Sequence, residues 1–102
     1  MLASFAVIPL GVGEELKALI AEALLIVEKS GFSYKLGAMQ TTVEGEPDEV
    51  MGLIMQVHRR VLELAPRVLT SITIDERKGA VGRLEGKVGD VEEIMGRTLS
   101  HE

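Results

Sequence analysis

Residues 41–44, with the sequence Thr-Thr-Val-Glu, bring two hydroxyls and a carboxylate together in a predicted β-strand. Because strand side chains alternate between faces, we expect Thr42 and Glu44 on one face, and Thr41 and Val43 on the other. A glutamate in the middle of a strand is disfavoured unless its face is solvated or meets a partner. Glu44 is therefore either a solvated surface residue or a carboxylate that accepts hydrogen bonds from a ligand. The sequence leaves both alternatives open.

A second predicted strand adds polar groups to the same face. Over residues 68–75, Ser71 and Thr73 alternate with apolar residues expected to face the helices. We expect Ser71 and Thr73 to converge with Thr42 and Glu44 on the sheet face that the helices leave open. A carboxylate accepts hydrogen bonds and a hydroxyl donates or accepts them, so this cluster suits a flat polar heterocycle.

Residue types that commonly carry catalysis or bind metals are scarce in this chain. It has no cysteine, and neither of its two histidines, His58 and His101, lies in a cluster with the spacing of metal ligands. No Ser-His-Asp or Cys-His order indicates nucleophilic catalysis. We therefore expect a protein that is not an enzyme and that uses neither a cofactor nor a metal. His58 is expected on a helix surface or at a subunit contact.

Two further patterns favour structural interpretations. Residues 11–13, Gly-Val-Gly, precede a predicted helix, but Glu14 and Glu15 follow at once and no P-loop lysine is present, so a strand-to-helix turn is favoured over a phosphate site. The local basic cluster consists of Arg59, Arg60 and Arg67, and a solvated face is its default interpretation. The alternatives are an anion site, or ion pairs with Glu63 and with the acidic side of another subunit. For Arg67 we predict an ion pair across the sheet with Asp75 or Glu44.

Charge and hydropathy exclude several classes of partner. The net charge of −5 argues against a nucleic-acid backbone and against an anionic membrane surface. The apolar N-terminus lacks the basic residues of a signal peptide, and no stretch reaches the roughly 20 apolar residues of a membrane span. With no cysteine for a disulfide, a cytoplasmic location is expected.

The periodicity predicts a single α+β domain over residues 1–102. Strands are predicted over 2–8, 32–38, 39–46 and 68–75, and helices over 14–29, from Pro47 to the stop at Ala65-Pro66, and over 83–95, with a frayed tail at 98–102. The order is that of the ferredoxin-like βαββαβ fold with an added C-terminal helix. The two main helices should cover one face of an antiparallel sheet with apolar stripes, which we assign to Leu16, Leu19, Ile20, Ala23 and Val27, and to Val50, Ile54, Val57, Val61 and Leu64.

Five segments occur in an order that resembles the thiamine-binding protein family, from Ser4 to Glu92. They are Pro9-Leu10-Gly11, residues 30–37, residues 41–46, residues 66–77 and residues 84–88. The resemblance implies the same ferredoxin-like fold and binding of thiamine or its hydroxymethylpyrimidine half. It also implies a tetramer, and it adds Pro9 and Thr41 to the candidate ligand-binding residues Thr42, Glu44 and Ser71.

Two functions from different classes therefore compete. The leading hypothesis is a non-catalytic protein that binds thiamine or its pyrimidine moiety as a dimer or tetramer. The alternative is a structural or regulatory homo-oligomer whose open sheet face serves assembly only. Self-association is expected in both cases, because the open face carries Leu69 and apolar residues of the first strand and because the sheet leaves edge strands unpaired.

Overall fold

The computed structural model describes residues 1–79 and gives them the predicted order of strands and helices. Two helices and four strands follow one another as β1 (Leu2–Leu10), α1 (Leu16–Lys29), β2 (Ser33–Leu36), β3 (Thr41–Glu44), α2 (Pro47–Leu64) and β4 (Arg67–Asp75), with a 3-10 turn at Gly13–Glu15 before α1. This is an α+β arrangement consistent with a ferredoxin-like fold. The predicted helix over 83–95 and the tail at 98–102 lie outside the described residues.

The four strands form one antiparallel sheet in the order β2-β3-β1-β4. Alternate residues of the two central strands, Ala3, Phe5 and Val43, are buried against the helices. Ile72 of β4 packs against the same core, so the expectation that Val43 and Ile72 face the helices is confirmed. The opposite face of the sheet is called the open face below.

The predicted stripe of α2 supplies most of the core, whereas that of α1 is only partly right. Val50, Ile54, Val57 and Val61 are at most 1% exposed. On α1, Leu19 and Val27 are buried, and Ala23 packs against them. Three predicted stripe residues are wrong as core positions, because they are about 40% exposed: Leu16, Ile20 and Leu64.

Local sequence signals account for most helix ends. Pro47 begins α2 as predicted, and the Glu46 carboxylate caps the helix by accepting a 3.0 Å hydrogen bond from the Glu49 backbone N–H. α1 ends at Ser30, followed by Gly31 with φ of +82°, the left-handed conformation that favours glycine. Its start differs from prediction, because residues 13–15 form a 3-10 turn before the α-helix begins at Leu16.

The β2–β3 hairpin is shorter than predicted and has a longer connection. Strands expected over 32–38 and 39–46 are each four residues long, and a four-residue loop, residues 37–40, joins them. The loop is closed by a 2.9 Å hydrogen bond from the Gly37 N–H to the Gln40 carbonyl, and Met39 at its tip is 87% exposed. Because β2 and β3 are short, part of β1 has no partner strand on the β3 side, and a cavity lies at this gap.

Candidate functional site

β1 extends beyond β3 and leaves a gap in the sheet, which we call the notch. All nine residues of β1 pair with β4, but on the other side the ladder with β3 stops at the pair Phe5–Thr41. Residues 6–10 of β1 therefore face the 37–40 loop instead of a strand. The notch is the space between this edge of β1, the loop and α1.

Alternating hydrogen bonds identify which backbone groups of β1 point into the notch. The Met1 N-terminal amine donates to the Gly45 carbonyl at 2.9 Å, and the Gly45 N–H donates back to the Met1 carbonyl at 3.1 Å. In an antiparallel ladder such reciprocal pairs recur at every second residue. Odd-numbered residues of β1 therefore direct their backbone toward the β3 side. Beyond Phe5, this places the N–H and carbonyl of Val7, and the carbonyl of Pro9, at the notch.

The same alternation explains why a proline is tolerated inside β1. We predicted that the first strand ends at Ile8 and that Pro9 begins a break, which is wrong, since β1 continues to Leu10. Proline has no N–H and normally interrupts a central strand. At position 9 the missing donor would have pointed into the notch, so no bond to β4 is lost.

A cavity of about 280 Å³ lies at the notch. Its walls are β1, α1, the 37–40 loop and the start of β3, and none of its lining residues carries a charged side chain. Polar character comes from Thr41, Gln40 and the free backbone edge of β1. This combination of apolar walls and a few placed polar groups is typical of a small-molecule pocket, and the volume is close to the lower end of the usual range of about 300–1,000 Å³.

Two of the five predicted site residues, Pro9 and Thr41, line this cavity together. Pro9 lies opposite Val68, and Thr41 lies opposite both Phe5 and Leu36, so both residues belong to the helix-facing side of the sheet. Thr42 and Glu44 occupy the alternate positions of β3 and belong to the open face, as predicted. The structure therefore divides the predicted set between the two faces of the sheet.

On the open face, Thr42 lies in a row of polar residues that crosses all four strands. Lys35, Thr42, Ser4 and Thr73 are successive partners in this row. The Ser4 hydroxyl donates a hydrogen bond to the Gln40 side-chain oxygen, which connects this row to the 37–40 loop. Lys35 and Glu44 both have interaction partners in the folded chain.

Ser71 does not join Thr42 and Glu44. It lies opposite Ala6, in the next row of the open face, and β1 separates it from β3. Two strand spacings place its backbone about 10 Å from β3. Of the two β4 hydroxyls predicted to converge with Thr42, Thr73 shares its row and Ser71 does not.

One member of the basic cluster, Arg60, forms two ion pairs. Arg60 donates to the carboxylate of Glu63 at 2.8 Å and lies 3.5 Å from that of Glu22 on α1. The hydrogen bond to Glu63 and the charge of Glu22 raise the pKa of Arg60. The pair with Glu63 was one of the alternatives that the sequence left open, and it lies within α2. The contact with Glu22 links α2 to α1 at the surface.

The structure also tests the interpretations of His58 and Arg67. His58 is half-buried rather than simply exposed, because its Nδ1 lies 2.6 Å from the Thr70 hydroxyl and so connects α2 to β4. The predicted ion pair of Arg67 with Asp75 or Glu44 within one sheet is wrong. Arg67 and Asp75 are the two ends of the nine-residue β4, about 27 Å apart, and Glu44 lies opposite Leu2 at the far end from Arg67.

Sequence reasoning missed the free edge of β1, and with it Val7 and Gln40. The signal available in the sequence was Gly37, because glycine favours a turn where the longer strand was predicted. Within residues 1–79, no group of three or more His, Asp or Glu side chains could hold a metal ion. No helix in that part of the chain is long and apolar enough to cross a membrane.

Comparison with known proteins connects this geometry to a family. A family model described as thiamine-binding protein matches residues 3–92. A UPF0045 protein of Mycobacterium bovis is 37% identical over 96 residues, which cover 93% of this chain and 94% of the relative. The family resemblance inferred from the five sequence segments is thereby confirmed.

Solved structures agree with the fold. A hypothetical protein of Methanocaldococcus jannaschii superposes with a TM-score of 0.82 at 32% identity, over 90% of this chain and 95% of that chain. A protein of Thermotoga maritima, proposed to act in thiamine biosynthesis or salvage, superposes with a TM-score of 0.78 at 29% identity. The latter match covers 88% of this chain and 96% of that chain.

Proposed function

Because the chain belongs to the thiamine-binding protein family, we propose that it binds thiamine, or the hydroxymethylpyrimidine half of thiamine, without catalysing a reaction. The family match is the observation that carries the choice of ligand. The notch supports this choice, since it offers a small apolar pocket bordered by unpaired backbone groups.

The proposed contact joins the amine edge of the pyrimidine to the free edge of β1. In the aminopyrimidine of thiamine, an exocyclic amine donor stands beside a ring nitrogen acceptor. The N–H and carbonyl of a single strand residue present the complementary pair. Val7 therefore donates to the ring nitrogen and accepts from the amine, while the Pro9 carbonyl and the Thr41 hydroxyl bind the remaining polar atoms.

The lack of charge in the cavity limits which half of thiamine enters it. Transfer of an ion to an apolar site without a partner is costly, and none of the lining residues supplies a counter-charge. The neutral pyrimidine enters the cavity, and the cationic thiazolium ring remains at the mouth in contact with water. Free hydroxymethylpyrimidine should therefore bind about as tightly as thiamine.

The open face is the second candidate location in the same proposal. Glu44 can accept from the pyrimidine amine, with Thr42 beside it on β3 and Ser71 on β4 as the more distant candidate. A carboxylate would also attract the thiazolium cation, which favours this location electrostatically. Against it stands the cavity at the notch, which none of these three residues lines.

The remaining parts of the proposal concern assembly and location. We propose that the protein acts as a homo-oligomer, dimer or tetramer, in the cytoplasm, with no nucleic-acid or membrane partner. Within residues 1–79, twelve large apolar side chains are at least 36% exposed in the single chain, among them Ile8 and Leu69 on the open face. Such exposure supports association of the chains.

Isothermal titration of the protein with four compounds tests this function. Thiamine and hydroxymethylpyrimidine should both bind with saturable stoichiometry, and the compounds should be recovered unchanged. Oxythiamine replaces the amine by a carbonyl and so exchanges donor and acceptor at the recognised edge. It should bind at least tenfold more weakly, because like groups would then face each other. Thiamine phosphate completes the series and reports whether a phosphate at the far end of the ligand changes binding.

Three results would contradict the proposal. Equal affinity for thiamine and oxythiamine would exclude recognition of the amine edge. Turnover of any compound would indicate an enzyme. Absence of binding by all four, in a protein shown to be folded and oligomeric, would favour the alternative of a homo-oligomer that serves assembly only.

A further inference from the structure

A second cavity, which we call the helix groove, lies between α1 and α2. Its volume is about 470 Å³, within the usual range of small-molecule sites. All of its lining residues belong to the two helices, and none of them lines the cavity at the notch. Each helix contributes residues about one turn apart, so that one stripe of each helix forms one wall. The helix groove is therefore separate from the proposed thiamine site.

The charges along the helix groove are only partly compensated. Arg60 forms ion pairs with Glu22 and Glu63, and all three residues line the groove. Arg59 and Lys29 line it too, and both are exposed. Within residues 1–79, neither forms a hydrogen bond or an ion pair. Three cations and two carboxylates leave a net charge of about +1 in the groove, which suits an anion with a single negative charge.

The helix groove also offers apolar surface and unfilled space. On α1, Leu25 is 43% exposed and Ile26 is partly buried, and both line the groove. On α2 the groove is lined by Gly52, where a Cβ would meet nothing within 4 Å. Packing therefore does not require glycine at this position, although glycine is unfavourable inside a helix. The missing side chain keeps this part of the groove open for the apolar part of a ligand.

We propose that the helix groove binds a small organic carboxylate with an apolar or aromatic body. The body lies against Leu25 and Ile26 and occupies the space beside Gly52. The guanidinium of Arg59 binds the carboxylate, because its fork of N–H donors matches two carboxylate oxygens, and Lys29 adds a second positive charge. A phosphate ester fits less well, since it carries about two negative charges and the groove contains two carboxylates of its own.

Three naphthalene derivatives test the charge that the groove selects: naphthoate, the neutral naphthamide and naphthyl phosphate. Two-dimensional NMR of the isotope-labelled full chain follows the backbone amides during titration. Naphthoate should cause saturable shifts of amides that line the helix groove. Naphthamide should bind about tenfold more weakly, because it lacks the charge that Arg59 recognises. Naphthyl phosphate should bind no more tightly than naphthoate.

Substitutions in the helix groove locate the bound naphthoate. Arg59→Gln should weaken its binding by about fivefold, a modest loss because the contact is open to water. Lys17→Gln is the matched control, since Lys17 is an exposed cation of α1 that does not line the groove, and it should leave binding unchanged. Gly52→Leu introduces a good helix former that fills the groove, and it should abolish the shifts in a protein whose circular dichroism is unaltered.

Four results would overturn the proposal: no saturable shifts in the helix groove with naphthoate, equal affinity for naphthoate and naphthamide, tighter binding of naphthyl phosphate than of naphthoate, or undiminished binding in Gly52→Leu. An equal loss in Arg59→Gln and Lys17→Gln would also overturn it, because it would indicate attraction by overall charge. None of these measurements uses thiamine, so the helix groove and the proposed thiamine site can fail independently.

Discussion

Two neighbouring threonines, Thr41 and Thr42, belong to different candidate sites. Thr41 lines the cavity at the notch, whereas Thr42 lies on the open face, two residues before Glu44 along β3. Both are half-buried and both belong to β3. They are therefore matched probes for the location of the ligand.

Thr41→Val should weaken binding of hydroxymethylpyrimidine, whereas Thr42→Val should leave it unchanged. Loss of one neutral hydrogen bond should cost about 0.5–1.5 kcal/mol at Thr41, while valine keeps the shape and suits a strand. Calorimetric titration of both variants, with the oligomeric state checked in parallel, measures the difference. The reverse order of effects would place the ligand on the open face.

Glu44→Gln distinguishes the same locations by charge. If Glu44 accepted a charge-assisted hydrogen bond from the pyrimidine amine, the substitution should cost about 1.5–3 kcal/mol of binding free energy. With the ligand at the notch, thiamine affinity should change by less than about 0.5 kcal/mol. A large loss in an intact oligomer would move the site to the open face, as the sequence first suggested.

The space for an added methyl group differs between Gly45 and Gly52. A Cβ at Gly45 would lie 2.6 Å from the Phe32 ring, whereas a Cβ at Gly52, on the exposed side of α2, meets nothing within 4 Å. Gly45→Ala should lower the free energy of unfolding by about 1–3 kcal/mol through overpacking. Gly52→Ala should raise it by about 0.5–1 kcal/mol through helix propensity. Urea denaturation measures both, and equal effects would contradict this account of the packing.

At the scale of elements, local signals predicted the strands and helices well, and the site poorly. The start of α2 at Pro47 and the stop at Ala65-Pro66 follow from local chemistry, and the apolar period of α2 identified its core residues. The site depends instead on unequal strand lengths. The position at which β3 begins decides whether β1 has a partner strand on that side beyond Phe5. The residues around the 37–40 loop did not allow this position to be predicted.

Alternation within a strand was predictable, but convergence between strands was not. The sequence placed Thr42 and Glu44 on one face correctly, because the period of a strand is local. It could not give the register between β1 and β4, which puts Thr73 and not Ser71 in the row of Thr42. The predicted ion pair of Arg67 with Asp75 was wrong for a different reason, because the length of the nine-residue β4 already separates these two residues.

For the whole molecule, the proposed self-association predicts a limited response to salt. Contacts between apolar side chains such as Ile8 and Leu69 are not weakened by ionic screening, whereas contacts between exposed charges are. The Kd for self-association, measured by sedimentation, should therefore change little between low and high salt. Complete dissociation in high salt would indicate an interface dominated by charge.

A crystal structure of the protein with hydroxymethylpyrimidine would locate the pyrimidine ring independently of any substitution. We expect the ring in the cavity at the notch, with the Val7 N–H and carbonyl within hydrogen-bond distance of the ring nitrogen and the amine, and with Thr41 against its edge. A ring bound on the open face beside Glu44, with the cavity at the notch empty, would exclude binding at the free edge of β1.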